Sequence, residues 1–330
     1  MIKIPFDRMM PMVINGRFYN QASPKKNSFM LRSLYMFFVA RIKMLLKREP
    51  YDAWHAPEPV EHRAESPKIT WIGHATFLIQ IGGMNILTDP IFGSSSVIFS
   101  RLLPPGIPFE KLPPIDAVII SHNHYDHLDE STIMRIKKIH NSTFFVPQGD
   151  KEWFTTRGIT DVHECMWWDM HTVDPARWVR ITFLPAHHWS GRTLFNINKS
   201  LWGSWMIEYD NYRIYFAGDT AWGDHFKQIN DHFGPIDVVL LPIGPCEPHD
   251  WMQSSHINAE QAGEAALLLN ARHMIAMHWG TFGFGLDHFT LPIDRINAWW
   301  QANLSRIDDR MLHILRAGQS FSELIQKHNN

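Results

Sequence analysis

Cysteine is scarce in this chain. Two copies in 330 residues give no disulfide framework, and their lack of pattern fits a reducing compartment such as the cytoplasm. Cys165 and Cys246 share no ligand-type spacing, so both are expected to be buried thiols. A basic excess is missing as well: the formal net charge of −2 argues against general nucleic-acid binding, which calls for clustered positive charge. Long apolar runs are absent too. The uncharged stretch from Ser33 to Ala40 is eight residues long, against about 20 for a membrane-crossing helix. The opening MIKIPFDRMMP lacks the apolar stretch of a cleavable signal. No short-period repeat or long low-complexity linker interrupts the chain. Length and composition agree with one compact unit, with 45% hydrophobic residues and 14 tryptophans to fill its core.

Histidine is the residue in surplus, with 20 copies. His122 to His127 read HNHYDH, three imidazoles and a carboxylate directly after the apolar run Ala117 to Ile120. Imidazole and carboxylate are donors that borderline divalent cations prefer, and a strand running into a short loop can aim four of them at one point. His122 and His124 can face one cation while Asp126 and His127 face a neighbour, which makes a two-metal site the economical reading. Such a centre needs about six or seven protein ligands, so others must come from distant loops. Three later segments put a ligand-type residue after a β-type run. Ile181 to Ala186 leads to His187 and His188, Tyr212 to Ala217 leads to Asp219, and His273 to Met277 leads to His278. Strand ends converge on one edge of a sheet.

Further stretches carry a resemblance: TWIGHATFLIQ (70–80), LTDPIF (87–92), LPPIDAVIISHNHYDHLD (112–129), PAHHW (185–189), LWGSW (201–205), FAGDT (216–220) and HWGTF (278–282). With them the chain resembles the metallo-β-lactamase superfamily and, within it, the branch of phospholipases D that hydrolyse N-acylphosphatidylethanolamine. HxHxDH alone marks the superfamily, whereas LWGSW, FAGDT and HWGTF together mark the branch. The resemblance implies that His122, His124 and His188 bind one metal, that Asp126, His127 and His278 bind a second, and that Asp219 bridges the two. It selects His188 over His187. It also aligns His256, in SSHINAEQA, with an active-site histidine that stabilises charge on the substrate or donates a proton. Asp126, Asp219 and His256 are therefore the candidates for a direct part in catalysis. The cofactors implied are two zinc ions, with iron or manganese able to occupy similar ligand sets. Two adjacent cations can share a hydroxide while polarising a phosphoryl or carbonyl oxygen, so no serine or cysteine nucleophile is needed. A bridging aspartate resembles the phosphodiesterase, thioesterase and lactonase branches rather than the true β-lactamases. His74 in WIGHAT and Asp89 in LTDPIF read as residues that orient ligands through hydrogen bonds.

From residue 66 onward short strand patterns alternate with helical ones. Strands are expected at 70–81, 85–88, 117–121, 143–146, 181–184, 204–209, 212–216 and 238–242. Helices are expected at 131–139, 151–157, 259–269 behind an Asn258 cap, and 292–301. Two strand-rich halves, each finishing with helices, suit the α+β class and the four-layer αββα sandwich that the resemblance implies. The expected division is an N-terminal extension, 1–65, and a hydrolase domain, 66–330, whose polar end from Ser320 reads as peripheral. In the extension Leu31, Leu34, Tyr35, Phe38, Ile42, Leu45 and Leu46 recur at helical spacing opposite Arg32, Arg41, Lys43, Lys47 and Arg48. This basic amphipathic helix either lies against anionic lipid on the inner face of a membrane or packs on the enzyme core or on a second copy of the chain in a homodimer.

The leading expectation is a dinuclear metal-dependent phosphodiesterase of the phospholipase D type. The resemblance implies a phospholipid with an N-acylated ethanolamine head, cleaved to phosphatidic acid and an N-acylethanolamine. A lactonase acting on a sugar-lactone phosphate is the enzymatic alternative. A non-catalytic, membrane-associated metal-binding regulator is the third reading, disfavoured by the intact ligand set. Trp153, Trp167, Trp168, Trp178 and Trp251 either line a lipid cleft or pack the core.

Overall fold

The computed structural model of the chain describes residues 8–20, 51–95, 100–174 and 176–324. The amphipathic segment 31–48 lies outside the described residues. Strands β1 (Met12–Ile14) and β2 (Arg17–Tyr19) form a separate hairpin. The first large sheet contains β3 (Lys68–Gly73), β4 (Thr76–Ile81), β5 (Met84–Thr88), β6 (Ala117–Ile119), β7 (Thr143–Pro147) and β8 (Val162–Cys165). The second contains β9 (Met170–Asp174), β10 (Val179–Leu184), β11 (Ser204–Tyr209), β12 (Tyr212–Phe216), β13 (Ile236–Pro242), β14 (Ala271–Met277) and β15 (Met311–His313). The chain then returns to the first sheet, where β16 (Ser320–Ser322) pairs antiparallel with β3. Each sheet has seven strands, in the orders β16-β3-β4-β5-β6-β7-β8 and β15-β14-β13-β12-β11-β10-β9.

Alternation along single strands shows how the layers stack. Phe77, Ile79 and Ile81 of β4 and Ala117 and Ile119 of β6 join a core shared with the second sheet. Their neighbours Leu78, Val118 and Ile120 enter another core with Ile133 and Ile136 of α1 (Glu130–Ile139) and Phe154 of α2 (Lys151–Thr155). A strand covered on both faces must be apolar at every position, which is why β4 and β6 read as continuous runs. Beyond the second sheet lie α3 (His225–Phe233), α4 (His249–Met252), α5 (Ala259–Leu268) and α6 (Leu291–Ala302). Helix α5 packs on β13, β14 and α6. The architecture is the α+β sandwich of four layers, helix, sheet, sheet, helix.

Local chemistry fixes the helix starts that matter. The Asp129 carboxylate accepts the Thr132 N–H at 2.9 Å and starts α1 directly after the histidine loop. Asn258 and Gln261 form a reciprocal capping box at the start of α5, a motif contributing about 1 kcal/mol.

Two expectations are corrected. The strand expected over 70–81 is two strands, because Gly73 (φ +138°) and His74 (φ +54°) turn the chain back on itself. Apolar character continues through that turn, so periodicity cannot mark it. The C-terminal stretch is not wholly peripheral: Phe321 is buried and β16 closes an edge of the first sheet. Three residues of the pattern Ser-Phe-Ser are too short to signal a strand. The described parts of 1–65 pack on the body: Phe18 belongs to the shared core, and Trp54 packs edge-on against Trp279. Among the described residues no helix is long and apolar enough to cross a membrane.

Candidate metal centre

The seven candidate ligands come from four loops, each at the carboxyl end of a strand, and Asp89 comes from a fifth. Asp89 follows β5, His122 to His127 follow β6, His188 follows β10, Asp219 follows β12 and His278 follows β14. The loop after β6 folds into a turn in which Leu128 N–H donates to the His124 carbonyl at 2.8 Å. Asn123 sits between two of the histidines and pairs instead with Asp150 and with the Gly191 N–H, each at 2.8 Å, which tethers the loop to 190–192.

Three imidazoles converge on one side. His124 Nδ1 lies 2.8 Å from His122 Nε2 and 3.3 Å from His188 Nε2. On the other side, Asp126, His127 and His278 gather with His74, each offering a donor atom within 4.8 Å of the others. Asp219 stands between the two groups. Its Oδ2 is 3.8 Å from His122 Nε2, 3.7 Å from His188 Nε2 and 3.2 Å from His127 Nε2, while Oδ1 is 3.0 Å from His278 Nε2. His256 approaches the same carboxylate at 3.7 Å. All seven candidate ligands, and His256, are thus brought together.

That approach depends on Gly218. A Cβ there would lie 2.5 Å from the Ser121 Cβ, and φ is +57°, a conformation that side chains resist. Three non-glycine residues at the centre, His74, Asp89 and His278, are also left-handed, with φ +54°, +33° and +61°. Such strain persists where surrounding structure enforces it, typically at working sites.

The outward nitrogens of four of the rings are held by the fold. His188 Nδ1 pairs with the Ser255 carbonyl at 2.8 Å, and His278 Nδ1 with the Gly244 carbonyl at 2.9 Å. His127 Nδ1 pairs with Asp89 Oδ2 at 2.7 Å; His122 Nδ1 pairs with the Ser121 hydroxyl, which itself donates to Asp89 Oδ2 at 2.5 Å. Each pairing fixes the tautomer and leaves Nε2 aimed at the centre. Asp126 is held in turn by His74, 2.9 Å away. The sequence pointed to His74 and Asp89 in this supporting role; it missed Ser121, whose only signal is its place beside His122, and the two carbonyls, which carry no signal. His187 turns away toward His225 and Gly223.

Electrostatics suit a cation. Burial pushes His188 and His256 down to about 3 and His124 to about 4, and holds His122 well below its ordinary value. For Asp219 and Asp126 burial acts in the opposite sense, but the imidazoles around them, His127 foremost, keep both carboxylates ionised. Neutral imidazole beside ionised carboxylate is the pair of states that can ligate metal. His127 is raised despite its burial, because Asp219 and Asp126 flank it; a cation among them would replace that proton. Finally, His127 Nε2, His278 Nε2 and Asp219 Oδ1 are buried without a hydrogen-bond partner. Groups so placed are costly unless something binds them, and a metal fits.

Asp89 offers a test of the support. Asp89→Asn keeps the size and removes the charge facing His127, so metal affinity should fall about 10- to 100-fold in competition with a chelating dye, with the circular dichroism spectrum unchanged.

The centre opens into a cavity of about 510 Å³. Its floor is His124, Asp126, Asp219, His256 and His278, and its walls are Trp189, Pro245, Pro248, Trp251, Met252, Phe284 and Leu286. Of the five tryptophans weighed above, Trp251 lines it; Trp167 and Trp168 are buried in the core, Trp153 packs on Phe154, and Trp178 is exposed elsewhere.

Comparison with known proteins agrees with this arrangement. Residues 84–279 match the family model of the β-lactamase superfamily domain. The chain is 37% identical over 241 residues to an N-acyl-phosphatidylethanolamine-hydrolyzing phospholipase D 1 of Caenorhabditis elegans, covering 69% of this chain and 68% of that protein. It is 34% identical over 258 residues to the mitochondrial N-acyl-phosphatidylethanolamine-hydrolyzing phospholipase D of Saccharomyces cerevisiae, covering 74% of this chain and 55% of the yeast one. The match therefore spans between half and just over two thirds of these relatives. In fold it is similar to Igni18, a metallo-hydrolase of Ignicoccus hospitalis, with a TM-score of 0.61 at 22% identity, covering 79% of this chain and all of that one. The chain belongs to the metallo-β-lactamase superfamily, alongside the phospholipases D of that type, and is a metal-dependent hydrolase.

Proposed function

We propose that the centre holds two divalent cations, zinc by its nitrogen and oxygen donor set, and cleaves a phospholipid phosphodiester of the N-acylphosphatidylethanolamine class. The observation that carries this reading is the Asp219 carboxylate set between two imidazole groups at the floor of an apolar-walled cavity. His122, His124 and His188 would hold one cation, Asp126, His127 and His278 the other, and Asp219 would touch both. Bound there, such cations supply a more acidic water and a Lewis acid for a phosphoryl oxygen.

The chain's own groups account for the rest. Water oxygen bonds to phosphorus, the phosphorus bond to the ethanolamine oxygen breaks and a water proton passes to that oxygen, leaving phosphatidic acid and an N-acylethanolamine. Asp126 and Asp219, ionised and facing the cavity floor, orient the attacking water and its proton. His256, kept neutral by burial, donates an N–H to a phosphoryl oxygen as charge grows there. Among the described residues no lysine or arginine lines the cavity, so a free sugar phosphate would find no side-chain cation, whereas an acyl chain finds Pro245, Trp251, Met252, Phe284 and Leu286.

The test is an assay of zinc-loaded protein against N-acylphosphatidylethanolamine, bis-p-nitrophenyl phosphate and a lactone panel. Phosphatidic acid release supports the proposal, and turnover of lactones alone refutes it. His256→Ala should lower kcat about 100-fold with both metals retained, measured by steady-state kinetics beside elemental analysis.

A further inference from the structure

The far wall of the cavity is built from two stretches of irregular backbone. Residues 245–248 read Pro-Cys-Glu-Pro and contribute Pro245 and Pro248, while residues 284–286 contribute Phe284, Gly285 and Leu286. Proline has no N–H, so the first stretch offers two backbone donors, those of Cys246 and Glu247. Both are taken by one side chain. Asp287 Oδ2 accepts the Cys246 N–H at 2.7 Å, and Asp287 Oδ1 accepts the Glu247 N–H at 2.8 Å. The Leu286 N–H in turn donates to the Glu247 carbonyl at 2.9 Å.

The two stretches meet as closely as backbone allows. A Cβ at Gly285 would lie 2.4 Å from the Glu247 carbonyl oxygen, and φ there is +75°, so glycine is required. Arg295 of α6 braces the same corner, donating to Glu247 Oε1 at 2.9 Å and to both carboxylate oxygens of Glu260 at 2.8 Å. On the metal side the Ile243 N–H donates to the Met277 carbonyl at 3.0 Å, and the Gly244 carbonyl pairs with His278 Nδ1 at 2.9 Å. The wall and the ligands therefore have separate supports.

We infer that Asp287 is a positioning residue for substrate, whose carboxylate clamps 245–248 against 284–286 and so sets the width of the apolar slot that receives an acyl chain. The inference deepens the proposed phospholipid reading and rests on it for the identity of that chain. Hydrogen bonds to an ionised acceptor are stronger than those between neutral groups, so the clamp depends on charge. Burial pushes the Asp287 carboxyl up to about 6, with Glu247 adding to the rise and the two N–H groups and Arg295 opposing it. The Cys246 thiol faces the same carboxylate, and His288, next in the chain, has its Nδ1 3.4 Å from the Thr290 hydroxyl. Above about pH 6 the carboxylate accepts from both N–H groups; below it a proton occupies one oxygen and one N–H loses its acceptor. The slot loosens as pH falls.

The experiment measures binding of a dansyl-tagged undecanoyl ethanolamide to the full-length, metal-loaded protein by fluorescence. Steady-state kinetics on N-acylphosphatidylethanolamine and bis-p-nitrophenyl phosphate run beside it. Asp287→Asn keeps the size of the side chain but sets an amide against an N–H, and should weaken probe binding about tenfold at about pH 7.5. KM for the lipid should rise by a similar factor, with kcat and metal content changed less than about threefold. The parent should lose probe affinity between about pH 7.5 and about pH 5, and Asp287→Asn should show no such loss. Gly285→Ala, which forces the two stretches apart and leaves every carboxylate in place, should weaken the probe as well. Probe affinity and KM unchanged in Asp287→Asn overturn the proposal. So does a kcat that falls equally on both substrates, since Asp287 then acts through the metal centre. Should Asp287→Asn fail to fold, a parent whose probe affinity is flat over that pH range overturns it too. A parent that binds the probe with the expected pH dependence but releases no phosphatidic acid supports the clamp and removes the phospholipid reading.

Discussion

Replacing Asp219 with alanine should lower turnover about 1,000-fold or more, equivalent to about 4 kcal/mol of transition-state stabilisation. The reason is geometric. The carboxylate reaches both groups of imidazoles, Oδ2 lying toward His122 and His188 of one and His127 of the other, and Oδ1 toward His278, so its loss removes a donor from both proposed cations at once. Single deletion of His124 removes a donor from one. The imidazoles left behind in Asp219→Ala are mostly held neutral by burial, and the fold should survive, which circular dichroism checks. Asp219→Asn separates charge from shape: it keeps one oxygen acceptor and should recover little of the rate. Wild-type turnover in Asp219→Ala would remove the bridging role and the mechanism with it.

Stripping the metals should have the second large effect, on activity and on stability together. Chelation is expected to abolish hydrolysis, and restored zinc to return it. Because the ligands are assembled only in the folded chain, metal at a thousandfold excess over its Kd stabilises by about 4 kcal/mol. For a chain of this size that corresponds to a rise in Tm on the order of 10 °C. The stripped protein should also be acid-sensitive, in a direction fixed by its histidines. His74, His188 and His256 are pushed down to about 3 and His124 to about 4, burial being the main cause, whereas an unfolded chain protonates its histidines near about 6.5. The unfolded state therefore binds more protons over that interval, and stability falls as pH drops from about 6.5 toward 4. His127, raised by its carboxylates, acts in the opposite sense, one ring against several. A Tm that holds steady between about pH 7 and pH 5 would contradict this balance of charges.

The heart of the site was legible because its ligand types are rare and closely spaced. HNHYDH needs no tertiary knowledge: a strand end and six residues bring His122, His124, Asp126 and His127 together. Choosing His188 over His187 came from family resemblance alone, since both follow β10. The fold separates them by pairing His188 Nδ1 with the Ser255 carbonyl, while His187 faces His225. Strand and helix positions followed from apolar runs and caps, most closely at 204–209, 212–216 and the Asn258 start of α5. What escaped has physical causes. The turn at Gly73 and His74 lies inside an unbroken apolar stretch, and β16 is too short to show alternation. The cavity wall, Pro245 to Met252 with Phe284 to Leu286, sits on irregular backbone, where apolar residues have no period to reveal the side they face. Of the five tryptophans weighed for the cleft or the core, Trp167 and Trp168 are core, as large aromatics usually are, and Trp251 lines the wall; Trp189, quoted only within a motif, is a further wall residue.

Elemental analysis of the purified chain after dialysis against zinc and removal of free metal measures the central claim directly. Two equivalents per chain are predicted for the parent protein, falling by at least one in Asp219→Ala while Asp89→Asn shows weaker retention of both. A parent that binds a single equivalent, or one whose two equivalents survive loss of Asp219 undiminished, contradicts a centre bridged by that carboxylate.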